Sequence, residues 1–400
     1  MASSLNAATS GGGGVIVTSD ASGDLNIQSG GSTVVAVTSA GVAVTGTLSA
    51  SNGISVANTF GFKNRIINGG MVIDQRNAGA SVTPTSGTYT LDRWLFYVSQ
   101  ASKLTAQQNA GSVTPPAGFS KYLGITSSAA TSVGASDYFF STQRIEGFNT
   151  ADLAWGTANA ATVTLSFRVY SSLTGTFGGA LQNANQTRSY PFTYSVPVAN
   201  TWTTISVTVT GDTSGTWVGA TNGVGLVVCF GLGMGSTYSG TAGAWAGAEY
   251  YSATGAVSVV GTSGATFYIT GVQLEKGSTA TSFDFRAYST ELAMCQRYYQ
   301  TSAINVPDTN CGFFGVVYGG GSTQAYGNAS FKTLMRATAT VTLYDGGTAG
   351  NVAQTGIGGS AATAGNINAY GFSVVNKTSG NFNTTAGYII ISGFTASAEL

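Results

Sequence analysis

Histidine is absent from the 400 residues, so any chemistry rests on carboxylates, aromatic rings, amides and three thiols. Without imidazole there is no Ser-His-Asp or Cys-His relay, no His-ligated zinc and no side chain that ordinarily titrates near neutrality. Carboxylate hydrolysis of a glycosidic bond would need two acids about 5–9 Å apart across a cleft. Outside two charge-rich segments, 61–93 and 275–297, the candidates are Asp137, Glu146, Asp152, Asp212, Glu249 and Asp308, none paired in sequence. Asp and Asn are too dispersed for a calcium loop with ligands at fixed offsets. Gly11–Gly14 and Gly319–Gly321 lack the strand, Lys and Ser/Thr context of a phosphate loop. The expectation is no catalytic residue, no metal and no cofactor.

Aromatic rings offer a different chemistry. Flat ring faces stack on pyranose rings, and amides, carboxylates and hydroxyls at a rim bind sugar hydroxyls. Tyr238, Trp245, Glu249, Tyr250 and Tyr251 crowd the Gly/Ser/Thr-rich stretch 231–255, with Trp217 upstream. The glycan-binding candidates are therefore Trp217, Tyr238, Trp245, Tyr250 and Tyr251. The same rings would equally serve to close the end of a sandwich or to meet a neighbouring chain. A second set, Tyr318, Tyr326, Tyr344, Asp345 and Tyr370, lies near the C-terminus. Sequence alone does not choose between the two sets.

The elements that must position these rings read as β throughout. Alternation is clear in 161–170, in 202–209 and in 266–274, where one face is apolar and the other Thr/Ser-rich. Before residue 60, Val15–Val17, Leu25–Ile27, Val34–Val37 and Val42–Val44 are short strands between Gly/Ser/Asp turns. They are too short to bury a core within one chain, so identical chains would have to supply each other's partners. Residues 289–299 carry the single convincing helix, with a Ser/Thr N-cap candidate and Glu291 in its first turn. Its periodicity puts Leu292, Cys295 and Tyr299 on one face and Met294 with Tyr298 on another. The fold expected is all-β: a trimeric stalk in 1–60, an antiparallel jelly-roll-like sandwich in 61–286, a helical connector in 287–300 and a C-terminal β-sandwich tip in 301–400.

Composition narrows the partners. The chain has 15 basic and 15 acidic residues, a net charge of zero and only 8% charged residues, where about a quarter is usual. A neutral chain has no basic stripe for phosphates, so nucleic acid is not an expected partner. The apolar run 224–234 is far short of the roughly 20 residues of a membrane span. No membrane insertion is expected, and residues 1–14 show no signal-peptide pattern. Cys229, Cys295 and Cys311 have no metal-like spacing and read as buried thiols.

The sparse charges cluster. Lys63, Arg65, Asp74, Arg76, Asp92 and Arg93 fall in one segment, and Glu275, Lys276, Asp284, Arg286, Glu291 and Arg297 in another. Either they are two halves of a polar site, or they form a structural ion-pair seam built on Arg65, Asp74, Arg76, Asp92, Arg93, Glu275, Asp284 and Arg286. In the seam reading, the first and last strands of the sandwich pair, and arginine–carboxylate forks tie that edge to its neighbour.

These same segments carry a resemblance. Residues 64–76 (NRIINGGMVIDQR) and 89–94 (YTLDRW) resemble the opening of a sandwich domain found in many bacteriophage tail-fibre proteins. Residues 267–277 (FYITGVQLEKG) are similar to that family's closing strand, and 283–286 (FDFR) and 291–299 (ELAMCQRYY) to its continuation beyond that strand. The ending 394–400 (FTASAEL) is similar to the ending of such fibres. The resemblance implies a homotrimeric virion fibre or adhesin whose sandwich is similar to carbohydrate-binding modules. Expected partners are further copies of itself, other virion tail or neck proteins through the N-terminus, and host-surface polysaccharide. The expected location is the virion, after synthesis in the host cytoplasm. The rival expectations are a neck, head or baseplate fibre with a purely structural role and a carboxylate-dependent polysaccharide hydrolase.

Overall fold

The computed structural model describes residues 25–29, 32–38, 41–44, 63–302, 313–316, 323–345, 348–354, 357–382, 388–391 and 393–400. Residues 1–57 and 58–400 form two separate compact units. The strand expected at Val15–Val17 and the acid Asp308 lie outside the described residues, as do Cys311 and Tyr318.

In the first unit, β1 (Leu25–Ser29), β2 (Ser32–Thr38) and β3 (Gly41–Val44) form an antiparallel meander. Ile27 registers with Val35 and Val35 with Val44, while Val37 registers with Val42. Period-two geometry puts these five aliphatic residues on one face. Ile27 and Val42 are 52% and 65% exposed, so the described residues leave much of that face open.

The second unit opens with a two-sheet sandwich. One sheet runs in the order β11-β10-β13-β8-β5-β4 and the other β12-β9-β16-β7-β6. The strands are β4 (Thr88–Leu91), β5 (Trp94–Val98), β6 (Leu104–Gln108), β7 (Leu123–Ser127), β8 (Tyr138–Glu146), β9 (Val163–Ser171), β10 (Gly175–Gln182), β11 (Ser189–Val196), β12 (Thr203–Val209) and β13 (Val224–Met234). Two short strands, β14 (Ser239–Gly240) and β15 (Ser252–Ala253), pair with each other, and β16 (Thr266–Lys276) closes the sandwich. Pairing within both large sheets is antiparallel, and the chain passes repeatedly from one sheet to the other. Alternate residues of the facing strands fill the gap: Leu165, Phe167 and Val169 from β9 meet Leu226, Val228 and Phe230 from β13.

β16 shows how one residue resets a pattern. Phe267 and Ile269 face inward, yet so do Val272 and Leu274, three and five residues on from Ile269. The register slips between Thr270 and Gln273, where Gly271 sits at φ 63°. A β-bulge there switches which side chains point inward, and the Phe119 ring lies so close that a Cβ on Gly271 would sit 2.6 Å from it.

The opening segment runs along β16. Arg65 N–H donates to the Leu274 carbonyl at 3.0 Å, and the Val272 N–H donates to Gly69. Asn68, at φ 58°, donates to the Ile73 and Asp92 carbonyls and accepts from Ile73 N–H. This accounts physically for Asn in the Asn68-Gly69-Gly70 turn.

The helix α1 spans Tyr288–Gln296 and differs in detail from the expectation. Its N-cap is Ala287 and no side chain caps it. The first turn is held instead by tertiary bonds, since the Glu291 carboxylate accepts from Asn68 N–H and from Arg286. Cys295 and Tyr298 share the buried face with Ile67 and Ile73, because the chain leaves the helix before Tyr299. Tyr299 begins β17 (Tyr299–Thr301).

The C-terminal β region takes the form of a barrel with a side sheet. The barrel order is β18-β19-β24-β23-β22-β25, and the side sheet is β17-β26-β20-β21. The strands are β18 (Phe313–Val316), β19 (Gln324–Ser330), β20 (Thr340–Asp345), β21 (Thr348–Ala349), β22 (Asn351–Gln354), β23 (Ile357–Gly365), β24 (Gly371–Lys377), β25 (Tyr388–Ile391) and β26 (Gly393–Ser397). The protein is all-β, with α1 as the one α-helix among the described residues.

Candidate functional site

Three consecutive aromatic residues start β8. Phe139 points into the core, so Tyr138 and Phe140 stand on the outer face of the six-stranded sheet, followed by Thr142 and Arg144. Tyr97 of β5 registers with Phe140 and stacks on it at 5.4 Å. An outer face this aromatic has to be covered or used.

The segment from Gly235 to Val257 covers part of it. Gly178 of β10 and Gly231 of β13 let that segment descend onto the sheet, because a Cβ at either position would lie 2.5–2.6 Å from the Ser252 hydroxyl. Tyr251 is thereby laid flat on Phe140, with ring centres 4.3 Å apart and planes at 18°. Tyr238 meets Tyr138 edge-on at 5.5 Å. Between these walls lies a cleft of about 320 Å³ lined by Tyr97, Tyr138, Phe140, Arg144, Tyr238, Glu249 and Tyr251, with Ser86 and Gln186 also contributing.

The polar groups in the cleft are oriented. Arg144 donates to the Tyr97 hydroxyl at 2.7 Å and to the Leu400 carbonyl at 2.9 Å. The Tyr251 hydroxyl donates to Glu249. Burial, together with the Glu249 carboxylate, pushes the Tyr251 phenol far above its ordinary range, so it remains a donor. Beneath the cleft, burial pushes the Cys229 thiol up to about 12 despite the pull of Thr142 and Arg144, which leaves it inert as a nucleophile. Glu249 is the one carboxylate among the described residues lining the cleft, so the cleft does not hold the acid pair that glycoside hydrolysis needs.

The structure separates the sequence-selected rings. Tyr238 and Tyr251 line the cleft. Tyr250 packs against Gly240, its carbonyl accepts from Gln182, and it does not line the cleft. Trp217 and Trp245 stand elsewhere, in an edge-to-face trio with Trp155, with centres 4.8–5.5 Å apart. Each indole N–H in that trio donates to a backbone carbonyl: Trp155 to Ala161, Trp217 to Ser214 and Trp245 to Thr210. The trio packs on the sandwich core.

The other acids are engaged in ties. Asp152 takes a two-pronged bond from Arg65 at 2.7 and 2.8 Å, Asp212 the same from Arg188, and Glu146 from Arg297 at 2.6 and 2.9 Å. Asp137 accepts from Ser99, Gln100 and Gly134 N–H. Of the eight charged residues grouped at the sandwich edge, Arg286 and Asp284 approach each other at 3.5 Å. Arg76 and Arg93 both bind Glu399, Asp92 accepts from Gln75, Asp74 accepts from the backbone N–H groups of 76, 77 and 79, and Glu275 accepts from Thr281 and Gln273. No cluster of three His, Cys, Asp or Glu residues suited to a metal occurs among the described residues.

No protein-family model matches the sequence, and no curated protein matches it. Solved structures similar to this chain include a putative sugar-binding protein from Bacteroides thetaiotaomicron, at 13% identity and a TM-score of 0.30, covering 54% of this chain and all of that one. A family 11 carbohydrate-binding module from Clostridium thermocellum, in complex with a β-1,3-1,4-mixed-linked tetrasaccharide, is 9% identical with a TM-score of 0.26; the match covers 50% of this chain and 98% of the module. The N-terminal cellulose-binding domain of a Cellulomonas fimi β-1,4-glucanase is 13% identical, with a TM-score of 0.23, over 51% of this chain and 99% of the domain.

Sequence does not single out Tyr97, Tyr138, Phe140 or Arg144. The available signal is Tyr138-Phe139-Phe140 itself, since three aromatic residues running through a strand place rings on both of its faces.

Proposed function

We propose that the chain is a glycan-binding fibre protein of a bacteriophage, a tail fibre that holds host-surface polysaccharide in the cleft on the outer face of the six-stranded sheet. The observation that carries this reading is the joining, in one cleft, of the partly exposed Tyr97, Tyr138 and Tyr238 rings with Arg144 and Glu249, over a floor of Phe140 and Tyr251. Rings take the apolar face of a sugar, and the guanidinium and carboxylate take its hydroxyls. A lone carboxylate with no partner acid supports binding without cleavage. The virion role rests on the resemblance of residues 64–76, 89–94, 267–277, 283–286, 291–299 and 394–400 to tail-fibre sequences. The five-residue aliphatic face of the N-terminal meander favours a homotrimer in which identical chains cover one another, with residues 1–60 reaching other virion proteins. Weak individual sites would then sum by avidity.

The test is binding of the intact protein to envelope polysaccharide from a susceptible host. Retention of the polysaccharide, lost on Tyr138→Ala without loss of folding, supports the proposal. Absence of binding, with the chain still incorporated in particles, favours a purely structural fibre. Release of reducing ends would favour a hydrolase.

A further inference from the structure

The barrel carries a second concave surface of different chemistry. A groove of about 250 Å³ lies between β19, β24 and the turn before β24, lined by Asn328, Ser330, Asn366, Asn368, Tyr370 and Ser373. None of the described residues that line it is charged. Tyr370 is 71% exposed.

Two features show that these groups are held rather than merely left at the surface. The first is the turn. The Asn368 side-chain oxygen accepts from Tyr370 N–H at 2.7 Å and Gly371 N–H at 3.1 Å, which commits its oxygen and leaves its NH₂ as the outward group. The turn is also tied to the next segment: Phe331 N–H donates to the Tyr370 carbonyl, and Met335 N–H to that of Ala369. The exposed ring is therefore carried on a pinned backbone. The second is a β-bulge. Tyr326 registers with Val374 but Ala329 with Phe372, so Gly327 and Asn328 together oppose Ser373. Bulges re-aim a side chain at the expense of ladder pairing, and here the extra residue supplies one of the groove amides. Beneath the groove, Phe372 is buried and packs against Phe331 and Phe394, giving a firm floor.

We infer that this groove is a second saccharide site, selective for uncharged sugars. An amide offers both donors and acceptors, which suits neighbouring hydroxyls on a sugar ring, and Tyr370 offers a face to stack on. With no cation or anion among the described lining residues, a uronic or sialic acid carboxylate gains no partner from them, unlike at Arg144 in the cleft. The site is independent of the cleft and stands or falls without it.

The experiment uses the full-length protein and neutral gluco-, galacto- and manno-configured hexasaccharides, with hexagalacturonate as the charged comparison. Hydrogen exchange followed by mass spectrometry reads segments 323–331 and 366–373, and titration reads affinity. The expected result is that a neutral hexasaccharide at millimolar concentration slows exchange in both segments. That protection should persist in Tyr138→Ala, whose cleft is impaired, and affinity at the groove should fall at least tenfold in Tyr370→Ala and in Asn328→Ala. Tyr370 is exposed, so its variant should keep the parent Tm. The inference is overturned if no neutral hexasaccharide protects these segments, if hexagalacturonate protects them better, or if Tyr370→Ala leaves the protection unchanged.

Discussion

The Tyr251 ring lies flat on Phe140, 4.3 Å away, while its hydroxyl donates to Glu249. One side chain thus both covers an aromatic strand face and fixes the cleft's carboxylate. The two roles separate by substitution. Tyr251→Phe keeps the stack and frees Glu249, so stability should fall by about 1 kcal/mol, the usual net worth of one hydrogen bond. Glycan affinity should fall severalfold as Glu249 loses its orientation. Tyr251→Ala empties a buried position and should lower stability by on the order of 3 kcal/mol. Urea unfolding and polysaccharide titration on the two variants check both numbers. Equal stability losses would show that the ring stack contributes little.

The tryptophan trio gives the opposite pattern. Trp245 contacts Trp155, Trp217 and Tyr190 and donates to the Thr210 carbonyl, all outside the cleft. Trp245→Ala should lower stability by roughly 2–3 kcal/mol, less than a fully buried ring because Trp245 is only half-buried. Polysaccharide affinity, measured well below the lowered Tm, should be unchanged. A variant that keeps its Tm and loses binding would move the site to the trio.

Much of the sandwich is legible in the sequence because its strands alternate cleanly. Residues 161–170, 202–209 and 266–274 contain most of β9, all of β12 and most of β16, and their Val, Leu, Ile and Phe positions are the ones that face inward up to the bulge at Gly271. The cleft is not legible, for a reason of geometry. Phe140 is as apolar as Phe139, and only the strand's period assigns one to the core and the other to the outer face. Nor does sequence reveal that Gly178 and Gly231, far apart in the chain, leave room for the same Ser252. The aromatic content of 231–255 is visible, but its division into Tyr238 and Tyr251 on one side and Trp245 on the other depends on where that segment lands. The helix starts without the expected Ser/Thr cap, and its first turn is anchored to the sandwich instead, through the Glu291 carboxylate that accepts from Asn68 N–H and Arg286.

Glu399 joins the C-terminal end to the sandwich by binding Arg76 and Arg93 together. Arg93 is fully buried, stacks over Tyr298 at 3.7 Å and donates to the Arg144 carbonyl. Removing the carboxylate paired with a buried guanidinium leaves a charge without compensation, which typically costs about 3–5 kcal/mol. Glu399→Gln should therefore destabilise by about that amount, far more than Lys276→Ala, whose ion pair with Asp152 is mostly exposed. Unfolding midpoints in urea compare the two. Arg93→Met in the Glu399→Gln background should recover part of the loss, because it removes the stranded charge.

Two buried carboxylates with opposite shifts give the pH dependence. Burial pushes Asp92 from an ordinary 3.8 up to about 6, against the pull of Arg76 and two bonds from Gln75. Its folded form holds a proton that the unfolded form has released, so stability rises as pH falls from 7 to 5, by about 1 kcal/mol. Glu146 behaves oppositely. Burial opposes its ionisation, but bonds from Arg297 and Tyr298 and the Arg297 charge outweigh it and hold its pKa below the ordinary value. Its stabilisation is present above the unfolded value near 4.5 and is lost as pH falls through the lower folded value. The two together place maximum stability between about pH 4 and 5, with a gentle decline toward neutrality and a steeper one in acid. Asp92→Asn should flatten the limb between about pH 5 and 7 and leave the acid limb in place. Urea midpoints taken at half-unit steps from about pH 3 to 8 test this, and an unchanged limb above about pH 5 in Asp92→Asn would assign the titration to another group.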